Sequence, residues 1–135
     1  MRTKQYGVLP YIQGTNKVKL VLITSRKSKK WIVPKGNRVL KKSKHATALQ
    51  EAFEEAGLKG QLLEDDAMQF KIKSHGKQVM LILYLMRVDK MFRVWPEKSE
   101  RKRIVVNHRK AVKMMGWPNL CRKLKSWNKR KLSVF

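Results

Sequence analysis

Three carboxylates fall within five positions, at Glu51, Glu54 and Glu55, and no Asp or Glu precedes them in the chain. At the spacing i, i+3, i+4 a helix places all three on one face, about a turn apart. Like charges so arranged repel, so an isolated helix is better off without them. A hard divalent cation reverses that balance, because Mg2+ takes oxygen ligands and is held by a few carboxylates together with substrate phosphates. The plain alternative is a solvated helix face paired with neighbouring lysines, which needs no cation. The remaining composition favours chemistry on a polyanion: nine acidic residues stand against 33 Lys and Arg, a formal charge of +24. Such a charge attracts phosphates in nucleotides, nucleic acid or lipid headgroups without choosing among them.

The elements that must position these groups fit one domain. A chain of 135 residues, 42% apolar, can bury a core without disulfides or structural metal, and is too apolar for a disordered chain. The single cysteine, Cys121, forms no internal disulfide, which suits a reducing compartment. The N-terminal Met1-Arg2-Thr3-Lys4-Gln5 is not followed by a signal-like apolar stretch, and the apolar run at 79–86 is too short to span a bilayer. A cytoplasmic location without membrane insertion is therefore expected.

Hydrophobic periodicity predicts strands at residues 5–12, 18–24 and 31–33, with a turn at Gly14-Thr15-Asn16 and basic loops at 25–30 and 36–42. A helix should start at the N-cap Ser43 and end at Gly57, with an apolar stripe of Leu49, Ala52, Phe53 and Ala56. Further strands are expected at 60–63, 68–74, 78–88 and 104–106. Between them lie an acidic turn at Glu64-Asp65-Asp66, a hairpin turn at His75-Gly76-Lys77 and a charged loop at 89–103. Helices at 108–115 and 118–132, separated by Gly116, form a basic C-terminal part, about 108–135, that holds no acid. Trp117, Trp127, Met114 and Met115 read as packing residues. His45, His75 and His108 show no ligand spacing.

In its surroundings the acidic triplet becomes specific. Trp31-Ile32-Val33-Pro34-Lys35-Gly36, then a loop, then Gln50-Glu51-Ala52-Phe53-Glu54-Glu55-Ala56-Gly57-Leu58 resembles a Nudix box. That signature is Gly, five residues, Glu, seven residues, Arg-Glu, an aliphatic, any residue, Glu-Glu, any residue, Gly, an aliphatic. Gly36, Glu51, Glu54, Glu55, Gly57 and Leu58 fall in register, whereas Lys42 stands at the first Glu and Gln50 at the Arg. Residues 21–26 leading into the Trp31 segment, and Trp95-Pro96-Glu97 followed by Arg101-Lys102-Arg103, resemble one branch of the family, the diphosphoinositol polyphosphate and diadenosine polyphosphate hydrolases.

The resemblance implies one α/β domain over 1–135, a Nudix-type α/β/α sandwich with a mixed central sheet. It implies a pyrophosphohydrolase acting on acid anhydrides, splitting a phosphoanhydride of a nucleoside polyphosphate or a diphosphoinositol-like compound. Mg2+ or Mn2+ would be held by Glu51, Glu54, Glu55 and the backbone carbonyl of Lys35, with Glu54 as general base or ligand. Cleaving a phosphoanhydride needs charge neutralisation and an oriented water more than covalent chemistry. Gln50, in the catalytic Arg position, offers a hydrogen bond without a charge, a change expected to cost about 1.4–3 kcal/mol in the barrier. Arg26, Lys35, Gly36, Arg101 and Arg103 are the candidate substrate contacts, arginine being suited to bidentate phosphate binding. Glu97 or Glu100 is a further candidate carboxylate. The alternative is a catalytically impaired domain that binds RNA or polyphosphate, motivated by Gln50, Lys42 and the basic C-terminus; an enzyme acting on triphosphorylated RNA ends stands between the two.

Overall fold

The structure, a computed structural model, describes residues 3–14, 17–74, 76–117 and 122, leaving aside the side chains of 64–66. Its strands are β1 (Thr3–Gln13), β2 (Val18–Thr24), β3 (Trp31–Ile32), β4 (Lys35–Asn37), β5 (Leu58–Ser74), β6 (Lys77–Met91) and β7 (Arg103–Asn107). Among the described residues, helices α1 (Lys44–Ala56) and α2 (His108–Met115) accompany them, with a 3-10 turn at Lys98–Glu100. The strands form a single sheet ordered β3-β2-β1-β6-β5, with β4 also paired to β1 and β7 to β2. β1 and β6 run parallel, and the other pairs are antiparallel, so the sheet is mixed.

Burial explains why the central strands read as continuous apolar runs. On β6 every residue from Leu81 to Met86 is buried. Leu81, Leu83 and Leu85 join Leu9, Leu20, Leu22, Ala111 and Met115 on one face. Ile82, Tyr84 and Met86 join Val8, Val21, Ile23, Ala48, Ala52 and Ala56 on the other. Alternate residues of one strand thus feed two cores, each closed by its own helix, which is the expected sandwich of a sheet between helices.

Helix α1 is fixed at both ends. The Ser43 hydroxyl accepts from the Ala46 N–H at 3.0 Å, filling one of the unpaired donors of the first turn. Gly57 takes the left-handed conformation at φ 64° and returns its N–H to Phe53 O at 2.9 Å. β5 begins at the next residue, so the helix is strung tightly between the β4 loop and the sheet.

Several expectations need correction. The buried stripe of α1 is not Leu49, Ala52, Phe53 and Ala56: Leu49 and Phe53 are 36% and 41% exposed, and the stripe is Ala48, Ala52, Glu55 and Ala56, with Thr47. Small side chains let the helix lie close to the sheet, while Phe53 packs edge-on against Phe92 with ring centroids 5.5 Å apart. The expected acidic turn at 64–66 is a bulge within one strand, β5. Its pairing with β6 steps from Leu62–Met86 to Ala67–Tyr84, so four residues face one. Lys35–Asn37 is a short strand where a loop was expected from Gly36, and β6 continues to Met91 into the expected charged loop.

α2 has the expected bounds, capped by the Asn107 carboxamide and Gly116. Met115 is buried, and Met114 and Trp117 pack against the same core. The turn residues Thr15 and Asn16, His75, Cys121, Trp127 and the helix expected over 118–132 lie outside the described residues. Among the described residues no helix is long and apolar enough to cross a membrane.

Candidate active site

The three carboxylates project from the middle and last turns of α1, and the structure divides them into two environments. Glu55 points into the molecule, 8% exposed. Its Oε1 accepts the Lys35 N–H at 3.2 Å, and its Oε2 lies 3.4 Å from Arg101 Nη2. Glu51 is half-buried and hydrogen-bonds Glu55 side chain to side chain. Burial, the proton shared with Glu51 and the repulsion between the two carboxylates push Glu55 up to about 8, against the pull of Arg101. Burial also raises Glu51, with Glu54 and Glu97 adding repulsion, while its bond to Glu55 holds it down. The two carboxyls, both pushed up by burial and bonded to each other, titrate as one coupled pair.

Glycine at position 36 has a direct steric cause. A β-carbon there would sit 2.5 Å from the Glu51 carboxyl carbon and 2.6–2.7 Å from its oxygens. The close approach brings β4 against the helix and lets the Lys35 amide reach Glu55. Lys35 Nζ points elsewhere, donating to Gln5 Oε1 at 3.0 Å, and burial lowers its pKa.

Arg101 is the residue whose geometry departs most from its expected part. It was expected among the phosphate contacts, yet it is 9% exposed and its guanidinium is committed inward. Nε donates to Glu97 Oε1 at 2.8 Å, Nη1 to Thr24 O at 3.1 Å, and Nη2 faces Glu55. The single side chain ties β2, α1 and the 3-10 turn together and puts a positive charge behind the carboxylate pair. Removing one member of such a buried network leaves an uncompensated charge, at a cost of about 3–5 kcal/mol.

Arg103 also faces the helix, donating from Nη1 to Ala56 O at 2.7 Å and lying 4.1 Å over the Trp95 ring. It thereby caps the carbonyl end of α1, where a cation is favoured, and burial lowers its pKa. Trp95, marked in the sequence only as part of Trp95-Pro96-Glu97, is the anchor of this corner. Its indole N–H donates to Glu55 O at 3.0 Å, and its ring lies within 2.9 Å of where a Gly57 β-carbon would stand. The signal was present in Trp95-Pro96-Glu97, but no periodicity could say that the ring covers the end of α1. Arg93, Val94, Trp95, Lys98 and Arg103 line an open depression of about 580 Å³ beside that end. Arg26 is exposed, 3.6 Å from Glu100. Glu97 and Glu100 are thus both engaged by arginines.

Glu54 sits on the outer side. Its Oε1 accepts from Gln50 Nε2 at 2.8 Å, and its backbone carbonyl accepts from the Glu97 N–H at 3.1 Å. Lys42 in turn donates to Gln50 Oε1. Among the described residues no three acidic, His or Cys side chains converge on one point. The geometry thus brings Glu51 and Glu55 together and leaves Glu54 to one side, and the Lys35 contact seen here is its amide.

That donor set still suits a divalent cation. Two carboxylates side by side, one half-buried and one buried, form a site where a cation can take the place of a proton, and Mg2+ commonly takes only one or two protein carboxylates, completing its shell with water and phosphate.

The chain is 31% identical to Nudix hydrolase 21, chloroplastic, of Arabidopsis thaliana over 134 residues, covering 96% of this chain and 64% of that protein. It is 32% identical to Nudix hydrolase 4 of the same plant over 106 residues, covering 72% of this chain and 51% of that protein. The chain therefore spans between about half and two thirds of these relatives. No protein-family model matches it. In structure it is similar to the C. elegans Ap4A hydrolase, with a TM-score of 0.78 at 18% identity, covering 96% of this chain and 98% of that one. A mixed sheet between two helices, a box helix carrying Glu51, Glu54 and Glu55 behind Gly36, and these relatives together place the chain in the Nudix hydrolase family.

Proposed function

We propose that the protein is a divalent-cation-dependent pyrophosphohydrolase that cleaves a phosphoanhydride in a substrate rich in phosphates, a nucleoside polyphosphate or a diphosphoinositol-like compound. The observation that carries this reading is the Glu51–Glu55 pair, one carboxylate half-buried and one buried, whose mutual repulsion a bound cation would relieve. Glu51 and Glu55 are the residues that would hold Mg2+ or Mn2+, which supplies charge neutralisation on the phosphate oxygens and acidifies water. In this proposal Glu54 is kept for the base, and the Lys35 carbonyl would complete the protein's share of the ligand shell.

Glu54 suits the general base. Gln50 engages Oε1, which leaves Oε2 to receive a proton from the attacking water. Arg101, behind Glu55, keeps the pair from being expelled towards solvent. The cations lining the depression, Arg93, Lys98 and Arg103, together with the exposed Arg26, are the groups available to phosphate oxygens. The +24 charge favours many phosphates over a single bridge. A solved relative in fold is an Ap4A hydrolase, which makes dinucleoside polyphosphates the first substrates to try. The single-domain extent and the cytoplasmic, reducing setting suited to one cysteine belong to this proposal too.

The test is product release from diadenosine polyphosphates, diphosphoinositol phosphates, ADP-ribose and triphosphorylated RNA, with Mg2+ or Mn2+, against Glu54→Gln. Cation-dependent release abolished in the variant is the expected result. No release by wild type from any of these compounds sinks the proposal and leaves the RNA- or polyphosphate-binding domain, whose affinity must fall steeply with salt.

A further inference from the structure

The two positions at which the box departs from its signature, Lys42 and Gln50, touch each other and lead to Glu54. Lys42 Nζ donates to Gln50 Oε1, and Gln50 Nε2 donates to Glu54 Oε1 at 2.8 Å. We propose that Lys42 is a positioning residue, which fixes the orientation of the Gln50 carboxamide and through it the Glu54 carboxylate. The inference rests on the hydrolase reading for its catalytic consequence, although the relay itself is a structural claim.

The directionality follows from donor chemistry. An ammonium can only donate, so the amide must turn its oxygen to Lys42 and its NH2 to Glu54. A carboxylate can only accept, so the same orientation satisfies both ends. An amide alone has two orientations close in shape, and only one presents a donor to Glu54. A lysine beyond it removes the wrong one and polarises the right one, because a bond that ends on an ionised group is stronger than a neutral one. An arginine at position 50 would do both jobs at once. Here the task is divided between a neutral reader and a charge one residue further out.

Lys42 is held in place for this. Its N–H donates to Val39 O at 3.0 Å, and its carbonyl accepts from Arg38 Nε at 3.1 Å. Lys41 takes a left-handed turn at φ 68°, and Val39 is tied down to the helix through Thr47 Oγ1 at 3.2 Å. The loop therefore folds back over the first turns of α1 and returns the Lys42 side chain to the helix face bearing Gln50. A lysine on an extended loop would have no reason to meet it.

Two readouts test the relay. The first needs no turnover: the side-chain NH2 resonances of Gln50, assigned by their loss in Gln50→Leu, are followed in the full chain. Lys42→Met should move the pair and bring its two protons together in shift, and Lys42→Arg should leave them near the wild-type positions. Resonances unmoved by Lys42→Met overturn the proposal. The second is kinetic, on whichever substrate the wild type cleaves. Lys42→Met should lower kcat about tenfold with KM within about twofold, Lys42→Arg should restore it, and in a Gln50→Leu background Lys42→Met should add nothing. A loss confined to KM would make Lys42 a phosphate contact, and an equal loss in both backgrounds would make it independent of Gln50; each overturns the relay. If wild type cleaves nothing, the hydrolase reading falls, and the resonances alone decide the relay.

Discussion

Glu54 and Glu55 are consecutive residues of one helix, and they are supported in opposite ways. Glu55 is held from within by Arg101, a side chain 46 positions away that is itself buried and shared with Glu97 and Thr24. Glu54 is held from outside by Gln50 and Lys42, in a chain of hydrogen bonds that runs from a half-buried carboxylate to an exposed lysine. Both departures from the family signature fall on the outer side. Physical chemistry explains why that side tolerates them. An exposed ion pair is worth about 0–1 kcal/mol, so exchanging it for an amide and a lysine costs the fold little. The inner network cannot be exchanged piecemeal, since each missing member leaves a buried charge.

The largest effect should come from breaking the inner side. Arg101→Met is expected to lower stability by about 3–5 kcal/mol, seen as a fall in the denaturation midpoint, because it strands Glu97, the carboxylate pair and Thr24 O together. A shift no larger than that of an ordinary surface substitution would mean that Arg101 is not the support of Glu55. Arg101→Met and Glu55→Met combined should cost less than the two separately, since each removes the other's unpaired group.

A pH titration sharpens the same contrast. The folded state holds the Glu55 proton up to about 8, above the ordinary carboxylate value of 4.5. The folded state therefore binds more protons than the unfolded one between those values, and stability must fall as pH rises through that window. In chelator, wild type should lose up to about 4 kcal/mol between pH 5 and 8, with most of the loss removed in Glu55→Gln. A flat profile in wild type would show that Glu55 titrates normally. The same proton competes with a cation, so Mn2+ affinity should rise with pH across the window, by up to about tenfold per unit.

Gly36→Ala is expected to act next, on activity more than on fold. Its β-carbon would overlap the Glu51 carboxyl, so that carboxyl or β4 must move. A loss of about ten- to a hundredfold in kcat/KM, roughly 1.4–2.8 kcal/mol, with stability changed by about 1 kcal/mol is the expected pattern. Unchanged kinetics would mean that the position of Glu51 is immaterial. The smallest effect belongs to the outer side: Lys42→Met should leave the midpoint within about 0.5 kcal/mol of wild type, whatever it does to turnover.

The two regions were also unequally legible in the sequence. The outer chain is local: Lys42, Gln50 and Glu54 lie within one loop and one helix, and their spacing in the box marked them as related. The caps of α1, the strand bounds at 18–24 and α2 follow from local rules as well, because Ser43, Gly57, Asn107 and Gly116 act on their own neighbours. The inner network depends on a contact between residues far apart in sequence, and a basic residue at 101 reads equally as a phosphate ligand or as a buried counter-charge. Only the placement of the 3-10 turn beneath β2 decides between them. The stripe of α1 was misread for a similar reason. Leu49 and Phe53 have helical spacing, but α1 packs on the sheet through Ala48, Ala52 and Ala56, and how closely a helix approaches a sheet is a tertiary property. The bulge at 64–66 carried the composition of a turn, and pairing on both sides of it keeps the strand whole.

The most direct test of the division of labour on α1 sets cation binding against turnover in two neighbouring substitutions. Mn2+ binding by calorimetry and turnover of a diadenosine polyphosphate would be measured for wild type, Glu54→Gln and Glu55→Gln. The account predicts that Glu55→Gln loses both, whereas Glu54→Gln binds Mn2+ within a few-fold of wild type and loses kcat by at least about a hundredfold. Equal loss of Mn2+ binding in the two variants, or normal turnover in Glu54→Gln, would contradict it.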